Sequence, residues 1–308
     1  MNIVFMGNPA IATPILIALH ESNHQILGVV SNAPKPMGRG RSLKHTAVGK
    51  LATELTLNFI PANSLNDKSF QAKLQALNPD LFVLVAFRIL PKALLDIPTH
   101  GSVNIHTSLL PAYRGAAPIQ HALLNGEKET GITTFMIEPK VDTGSILLQE
   151  KIEIDEEDDC GSLTDKMAIR GAGLILNTLD LLEKGEIEPK SQNDSLASIA
   201  PKISKEMCRL DWSYSVKKIH NKVRALSPFP GAFTLMNGKR IKILRTKIIN
   251  ETHSFPPGHV SLLDKSRMAI SCGDGQLELL EVHLEGKRKM AMADCLRGIH
   301  VALGNPIG

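Results

Sequence analysis

The stretch Asn78–Pro91, NPDLFVLVAFRILP, decides the fold. Asn78-Pro79-Asp80 turns the chain, and Leu81–Ala86 then runs apolar without a break. A strand with one wet face alternates polar and apolar residues; a strand with no polar position is covered on both faces. The residues upstream repeat the theme. Lys68–Leu77 has helical spacing, Phe59-Ile60-Pro61 is a short strand, Thr46–Leu57 is helical, and Ile26–Val30 is a buried strand. Ile3–Met6 is another, followed by Gly7-Asn8-Pro9 and an apolar helical pattern through Ile15, Leu16 and Leu19. Strands alternating with helices predict an α/β domain built on a Rossmann-like, mostly parallel sheet. Ligands of such sheets sit beyond the carboxyl ends of the strands. The first turn lacks both GxGxxG and the P-loop pattern, so no bound dinucleotide is expected.

Downstream lies SVNIHTSLLPAYRGAAPI, Ser102–Ile119. Asn104 and His106 are two apart in an apolar run and so project from one strand face. Ser108 follows, Pro111 breaks any regular element, and Arg114-Gly115 leads into a helical pattern at Ala116-Ala117-Pro118. A carboxylate waits in Val141-Asp142-Thr143-Gly144. An Asn or His at a strand end is, alone, as readily a structural residue. An amide, an imidazole and a distant carboxylate arranged in this order are what proton transfer at a carbonyl needs.

Thr130–Ile137 and Ile146–Ile154 read as strands joined through Asp142, and Leu163–Leu182 as a long amphipathic helix. The acidic run Glu153–Asp159 lacks calcium-loop spacing and its glycine, and reads as a solvated loop. Residues 1–188 are taken as a first domain, and 189–206, polar with Pro189 and Pro201, as a linker. Residues 207–308 form a second domain. There a helix over Val216–Ala225 precedes short strands at Phe233–Met236, Ile241–Thr246, His259–Leu263, Met268–Ser271 and Leu277–Val282. Asn237-Gly238 is a hairpin signal. Short strands this closely spaced predict a small β-barrel, OB-like in size.

Of 308 residues, 43% are hydrophobic and 21% charged, an ordinary soluble composition. No apolar run approaches the roughly 20 residues of a membrane helix. Met1–Gly7 reads as strand rather than signal peptide, so a cytoplasmic protein is expected. Cys160, Cys208, Cys272 and Cys295 have no metal-ligand spacing, and no metal is expected. The net charge of +4 is uneven: residues 1–204 carry 18 Lys/Arg against 22 Asp/Glu, and residues 205–308 carry 17 against 9. The basic last third suits an anionic partner such as nucleic acid. So does Asn32–Lys50, where Lys35, Arg39, Arg41, Lys44 and Lys50 stand without an acid. Pro34, Pro36, Gly38 and Gly40 predict an irregular loop in its first half.

The run Asn104-x-His106-x-Ser108-Leu109-Leu110-Pro111, then Arg114-Gly115-Ala116-Ala117-Pro118-Ile119, then Asp142-Thr143-Gly144, resembles the formyltransferases that use 10-formyltetrahydrofolate. Ala200–Glu206, Asp211-Trp212, Pro228–Gly231 and Gly273-Asp274-Gly275 extend the resemblance through the second domain, to the branch that formylates methionyl initiator tRNA. The resemblance implies transfer of the formyl group to the amino acid's free amine, giving N-formylmethionyl-tRNA for translation initiation. It implies a tetrahedral intermediate with neither metal nor covalent enzyme adduct. Asn104 would donate to the oxyanion. His106 would stabilise the same intermediate and move the amine's proton. Asp142 would orient His106 and act as base. Ser108, Leu109, Leu110 and Pro111 would bind the folate, and Phe87, Arg88, Ile89 and Leu90 its pterin ring. Arg39, Arg41 and Lys44 would contact the tRNA, and the enzyme would act as a monomer. A formyltransferase for a small amine, glycinamide ribonucleotide or an amino sugar nucleotide, and a non-catalytic RNA-binding protein stand as alternatives.

Overall fold

A computed structural model describes residues 1–37, 42–249 and 254–308. They form two compact units. One holds Met1–Gly115, Glu129–Glu153 and Thr164–Ala200, and the other Ala116–Lys128, Ile154–Leu163 and Pro201–Gly308.

The first unit is built on seven of nine strands: β1 (Asn2–Gly7), β2 (Gln25–Asn32), β3 (Lys35–Met37), β4 (Ser42–Lys44), β5 (Phe59–Ala62), β6 (Leu81–Val85), β7 (Ser102–His106), β8 (Glu129–Met136) and β9 (Ile146–Glu153). The sheet order is β5-β2-β1-β6-β7-β8-β9. Its first five strands pair in parallel and β8 and β9 add antiparallel. The apolar run of β6 is buried at every position, as covering on both faces requires. Val4, Met6, Val30, Phe82 and Leu84 form one core with Phe70 and Leu74 of helix Lys68–Ala76 and Leu94 of helix Lys92–Leu95. Truncating a side chain as buried as Phe82 costs about 3–5 kcal/mol. Helix starts are capped by sequence: the Thr46 hydroxyl accepts from Gly49 N–H at 2.9 Å, and Asp67 from Ser69 N–H at 2.8 Å.

One expectation is corrected here. The basic segment is not irregular where it is described: β3 pairs antiparallel with β4, setting Lys35 opposite Lys44. A proline is tolerated there because a two-stranded ribbon has only edges. Within 189–206, taken as a linker, the part up to Ala200 is tied to the first unit: Lys190 bridges to Ile146 and Ile199 to Arg114. A polar, proline-bearing segment can be held by backbone pairing as firmly as a strand, and composition does not record that.

The second unit contains an antiparallel sheet of β10 (Ala232–Met236), β11 (Lys239–Ile249), β12 (Val260–Leu263), β13 (Met268–Ser271), β14 (Gln276–Leu284) and β15 (Met290–Ala291). The order is β10-β11-β14-β13-β12, with β15 on β14. Asn237 and Gly238, both left-handed at φ 51° and 72°, make the two-residue turn between β10 and β11. Segment 305–308 continues the ladder from one outer strand to the other. Val260 N–H donates to Asn305 C=O at 2.9 Å, Ile307 N–H to Gly258 C=O at 2.7 Å, and Gly308 N–H to Leu235 C=O at 3.0 Å. Helix Val216–Leu226 lays Val216, Ile219, Val223 and Leu226 into the core, a spacing of one helical face.

Candidate active site

In the first unit the sheet reverses its winding between β1 and β6, since β2 lies on one side of β1 and β6 on the other. Ligands collect at the carboxyl ends beside such a switch. β6 ends there at Val85, after which Ala86 takes a left-handed φ of 47° and turns the chain away from the sheet. Next to it ends β7, with Asn104 paired to Leu84 and to Phe135, and His106 opposite Thr133. Asn104 is half-buried, and among the described residues its amide has no side-chain hydrogen bond.

His106 is buried, and both ring nitrogens have a defined neighbour. Nε2 lies 2.9 Å from the Tyr113 carbonyl oxygen. A carbonyl only accepts, so Nε2 carries the proton of the neutral ring and Nδ1 holds the lone pair. Nδ1 faces Asp142 Oδ2 at 3.8 Å. That is too far for a direct hydrogen bond, but one proton-bearing atom can bridge the two. Burial holds the imidazole below its ordinary pKa, and the Asp142 charge and the Tyr113 carbonyl pull it back only in part. His106 is therefore a neutral base near pH 7. The Phe135 ring stands edge-on to it, with centroids 6.4 Å apart.

Asp142 is held by backbone from several directions. Its own φ of 54° is a left-handed conformation that few non-glycine residues adopt. Gly115 N–H donates to Oδ2 at 2.9 Å. Gly115 must be glycine, because a Cβ there, at φ 126°, would stand 2.6 Å from the Ala200 carbonyl oxygen. The Asp142 and Gly144 carbonyls both accept from Gln192.

Ser108 is fully buried, and its hydroxyl donates to Ala112 C=O at 2.6 Å. Thr133 on β8 organises the residues around it. Its hydroxyl donates to Ser108 C=O at 2.7 Å and accepts from Leu110 N–H at 3.1 Å. Gln149 on β9 donates to Leu110 C=O and to Thr133 Oγ1, each at 2.9 Å. Leu110 is buried, while Leu109 and Pro111 are half-buried. Beyond β6, Leu90 is buried in the core, Phe87 packs at its margin and Ile89 is exposed. Arg88 donates to the carbonyls of Ala62 and Asn63 at 2.9 and 3.1 Å. An open pocket of about 430 Å³ is lined by Asn63–Asn66 and Arg88–Pro91, and none of Asn104, His106 and Asp142 lines it. Among the described residues, the backbone groups of 87–90 take no part in backbone hydrogen bonds. Lys44 is exposed on β4; Arg39 and Arg41 lie outside the described residues.

Sequence reasoning missed Tyr113, Thr133, Gln149 and Gln192. Thr133-Thr134 inside the apolar run of β8 was a signal, since a buried hydroxyl needs a partner. Gln192 had none, in a segment of polar residues.

A family model for formyl transferase matches residues 1–179, and one for the formyl transferase C-terminal domain matches residues 202–300. The chain is 42% identical to the methionyl-tRNA formyltransferase of Pelobacter propionicus over 308 residues, covering 100% of this chain and 96% of the relative. The chain belongs to the methionyl-tRNA formyltransferase family. A second member, from Caldanaerobacter subterraneus, is 40% identical over 306 residues, covering 99% of each chain. The fold of this family member also matches a solved structure of HypX from Aquifex aeolicus in complex with tetrahydrofolic acid. The TM-score is 0.67 at 20% identity, over 96% of this chain and 46% of that protein, so this chain spans about half the length of HypX. Among the described residues of this family member, no helix is long and apolar enough to cross a membrane.

Proposed function

We propose that this family member transfers the formyl group of 10-formyltetrahydrofolate to the amino group of methionyl initiator tRNA, yielding N-formylmethionyl-tRNA. The observation that carries the reading is the meeting of Asn104, His106 and Asp142 at the carboxyl end of β7. The amine lone pair attacks the formyl carbon, and a C–N bond forms as the carbonyl becomes an oxyanion. The free Asn104 amide donates to that oxygen, a contact whose loss typically costs about 3–4 kcal/mol. The attacking nitrogen becomes cationic and must lose a proton. The 3.8 Å gap between His106 Nδ1 and Asp142 Oδ2 is a place where one N–H group meets two acceptors. A neutral Nδ1 takes the proton, and Asp142 stabilises the imidazolium. Collapse breaks the bond to folate N10, which receives a proton as tetrahydrofolate leaves.

The folate's place rests on two segments. The uncommitted backbone groups of 87–90 suit the donor–acceptor edge of a pterin ring. The loop from Ser108 to Pro111 enters as a backbone wall beside His106, because the Ser108 hydroxyl is already spent on Ala112. The tRNA reading rests on charge. Lys35 and Lys44 face each other across the ribbon, a repulsive pair in isolation that an intervening phosphate would relieve. Residues 205–308 carry 17 basic residues against 9 acidic ones. Arg39 and Arg41 belong to the same basic segment. We place the enzyme in the cytoplasm as a monomer, since a large elongated substrate needs both units accessible.

The test offers 10-formyltetrahydrofolate with methionyl initiator tRNA and with glycinamide ribonucleotide in parallel. Transfer to the tRNA alone is expected. Transfer to the nucleotide alone would keep the chemistry at His106 and overturn the substrate.

A further inference from the structure

Gln192 sits half-buried at the meeting of two loops that lie far from it in sequence. Its Nε2 donates to Asp142 C=O at 3.0 Å and to Gly144 C=O at 2.7 Å. Its Oε1 accepts from Arg114 Nε at 3.0 Å and Nη2 at 2.7 Å. Guanidinium only donates and carbonyls only accept, so this orientation of the amide is the one that satisfies all four contacts. Arg114 is anchored in turn. Its Nη2 pairs with Asp194 at 2.8 Å, and Lys140 lies 4.0 Å from the same carboxylate. Arg114 N–H donates to Ser198 C=O, and Arg114 C=O accepts from Ala200 N–H. The next residue, Gly115, supplies the N–H on Asp142 Oδ2.

We infer that Gln192 is a positioning residue for the reaction: it clamps the Asp142 loop to the Arg114-Gly115 turn and so sets the Asp142 carboxylate against His106 Nδ1. The inference rests on the roles proposed for His106 and Asp142, but its structural half is tested apart from them. The clamp has mechanical sense. Asp142 holds a left-handed backbone, and its side chain makes one backbone hydrogen bond. Two carbonyls pinned by one amide fix where that side chain starts. Nothing but an amide does both halves: a carboxylate would keep Arg114 and lose the two carbonyls, and an apolar chain would lose everything.

Three variants separate the halves. Gln192→Leu removes all four hydrogen bonds, Gln192→Glu keeps the Arg114 side alone, and Asp142→Asn removes the charge itself. In Gln192→Leu and Gln192→Glu, kcat is expected to fall about 10- to 100-fold, as sub-ångström misplacement of a reacting group does, with KM for both substrates within about threefold. The His106 imidazole, followed by NMR, is expected to titrate lower in both variants, in the direction Asp142→Asn moves it, because the carboxylate that raises it is no longer held in place. A structural role alone would lower the melting temperature and leave that titration where it is. Wild-type kcat and titration in Gln192→Glu would overturn the clamp, as would a fall in kcat with the titration unmoved. Should Gln192→Leu not fold, Gln192→Glu decides the point. Near-normal turnover in Asp142→Asn would instead sink the catalytic role of Asp142, and the titration in the Gln192 variants would still read the clamp.

Discussion

Replacing Thr133 by valine isolates one hydroxyl that holds the loop after β7. The two side chains have the same shape, so the packing of β8 is kept and only the oxygen is lost. That oxygen serves Ser108 C=O at 2.7 Å, Leu110 N–H at 3.1 Å and Gln149 Nε2 at 2.9 Å. Gln149 keeps its second partner, the Leu110 carbonyl. The other two are backbone groups of residues that are 0% and 3% exposed, and water does not reach them. A buried polar group left without a partner costs about 1–3 kcal/mol, so the pair should cost about 2–6 kcal/mol. Because the chain has two units, a single unfolding curve does not report this cleanly. Native-state hydrogen exchange does, at the Leu110 amide. There a loss of 2 kcal/mol is about a 30-fold faster exchange in the regime governed by equilibrium opening. Thr133→Ser is the control: it keeps the oxygen and drops a methyl, for about 1 kcal/mol. The valine variant should also raise KM for the formyl donor, since the loop it loosens is the proposed folate wall. Exchange at Leu110 unchanged in Thr133→Val, or a serine variant as damaged as the valine one, would refute the hydrogen-bond account.

His106→Ala and Asp142→Asn should each lower turnover at least about a hundredfold, with tRNA affinity within a few-fold of wild type by filter binding; near-normal turnover in either would remove that residue from the chemistry. Because burial keeps His106 neutral, kcat should fall as pH drops through its depressed pKa, and Asp142→Asn should move that limb to lower pH in a pH–rate profile, by removing the charge that pulls the imidazole up. The same depression has a stability sign: below the ordinary imidazole range the unfolded chain takes the proton that native His106 resists. Acidification should therefore favour unfolding by more in wild type than in His106→Gln, as read by melting temperature against pH. Arg39→Ala should weaken productive use of tRNA and flatten its salt dependence while leaving folate binding intact, checked by kcat/KM across ionic strength; lost folate binding would place that arginine elsewhere.

Much of the fold was legible because it is periodic. β6 reads as a strand covered on both faces since all its positions are apolar, and all of them are buried. Asn237-Gly238 reads as a hairpin because the turn needs two left-handed residues, and both are left-handed. Asn104 and His106 could be paired by their spacing alone, which a strand converts directly into a shared face. What escaped is what periodicity does not encode. The ladder through segment 305–308 and the antiparallel pairing of Lys35–Met37 with Ser42–Lys44 depend on partners chosen in three dimensions.

The site divides along the same line. The groups proposed to react could be named from sequence because chemistry restricts their kinds: few side chains donate to an oxyanion or accept a proton near neutral pH. The groups that hold them were not, because holding uses whatever donor or acceptor lies within reach. His106 is fixed by a main-chain carbonyl, at Tyr113, for which the residue type is immaterial. Asp142 is fixed by a main-chain N–H at Gly115 and by an amide fifty residues further along. That amide lies in a stretch whose polarity suggested solvent. A polar residue reads the same whether its partner is water or the Asp142 carbonyl, and only the second arrangement would hold the carboxylate where a single N–H group could meet both it and His106 Nδ1.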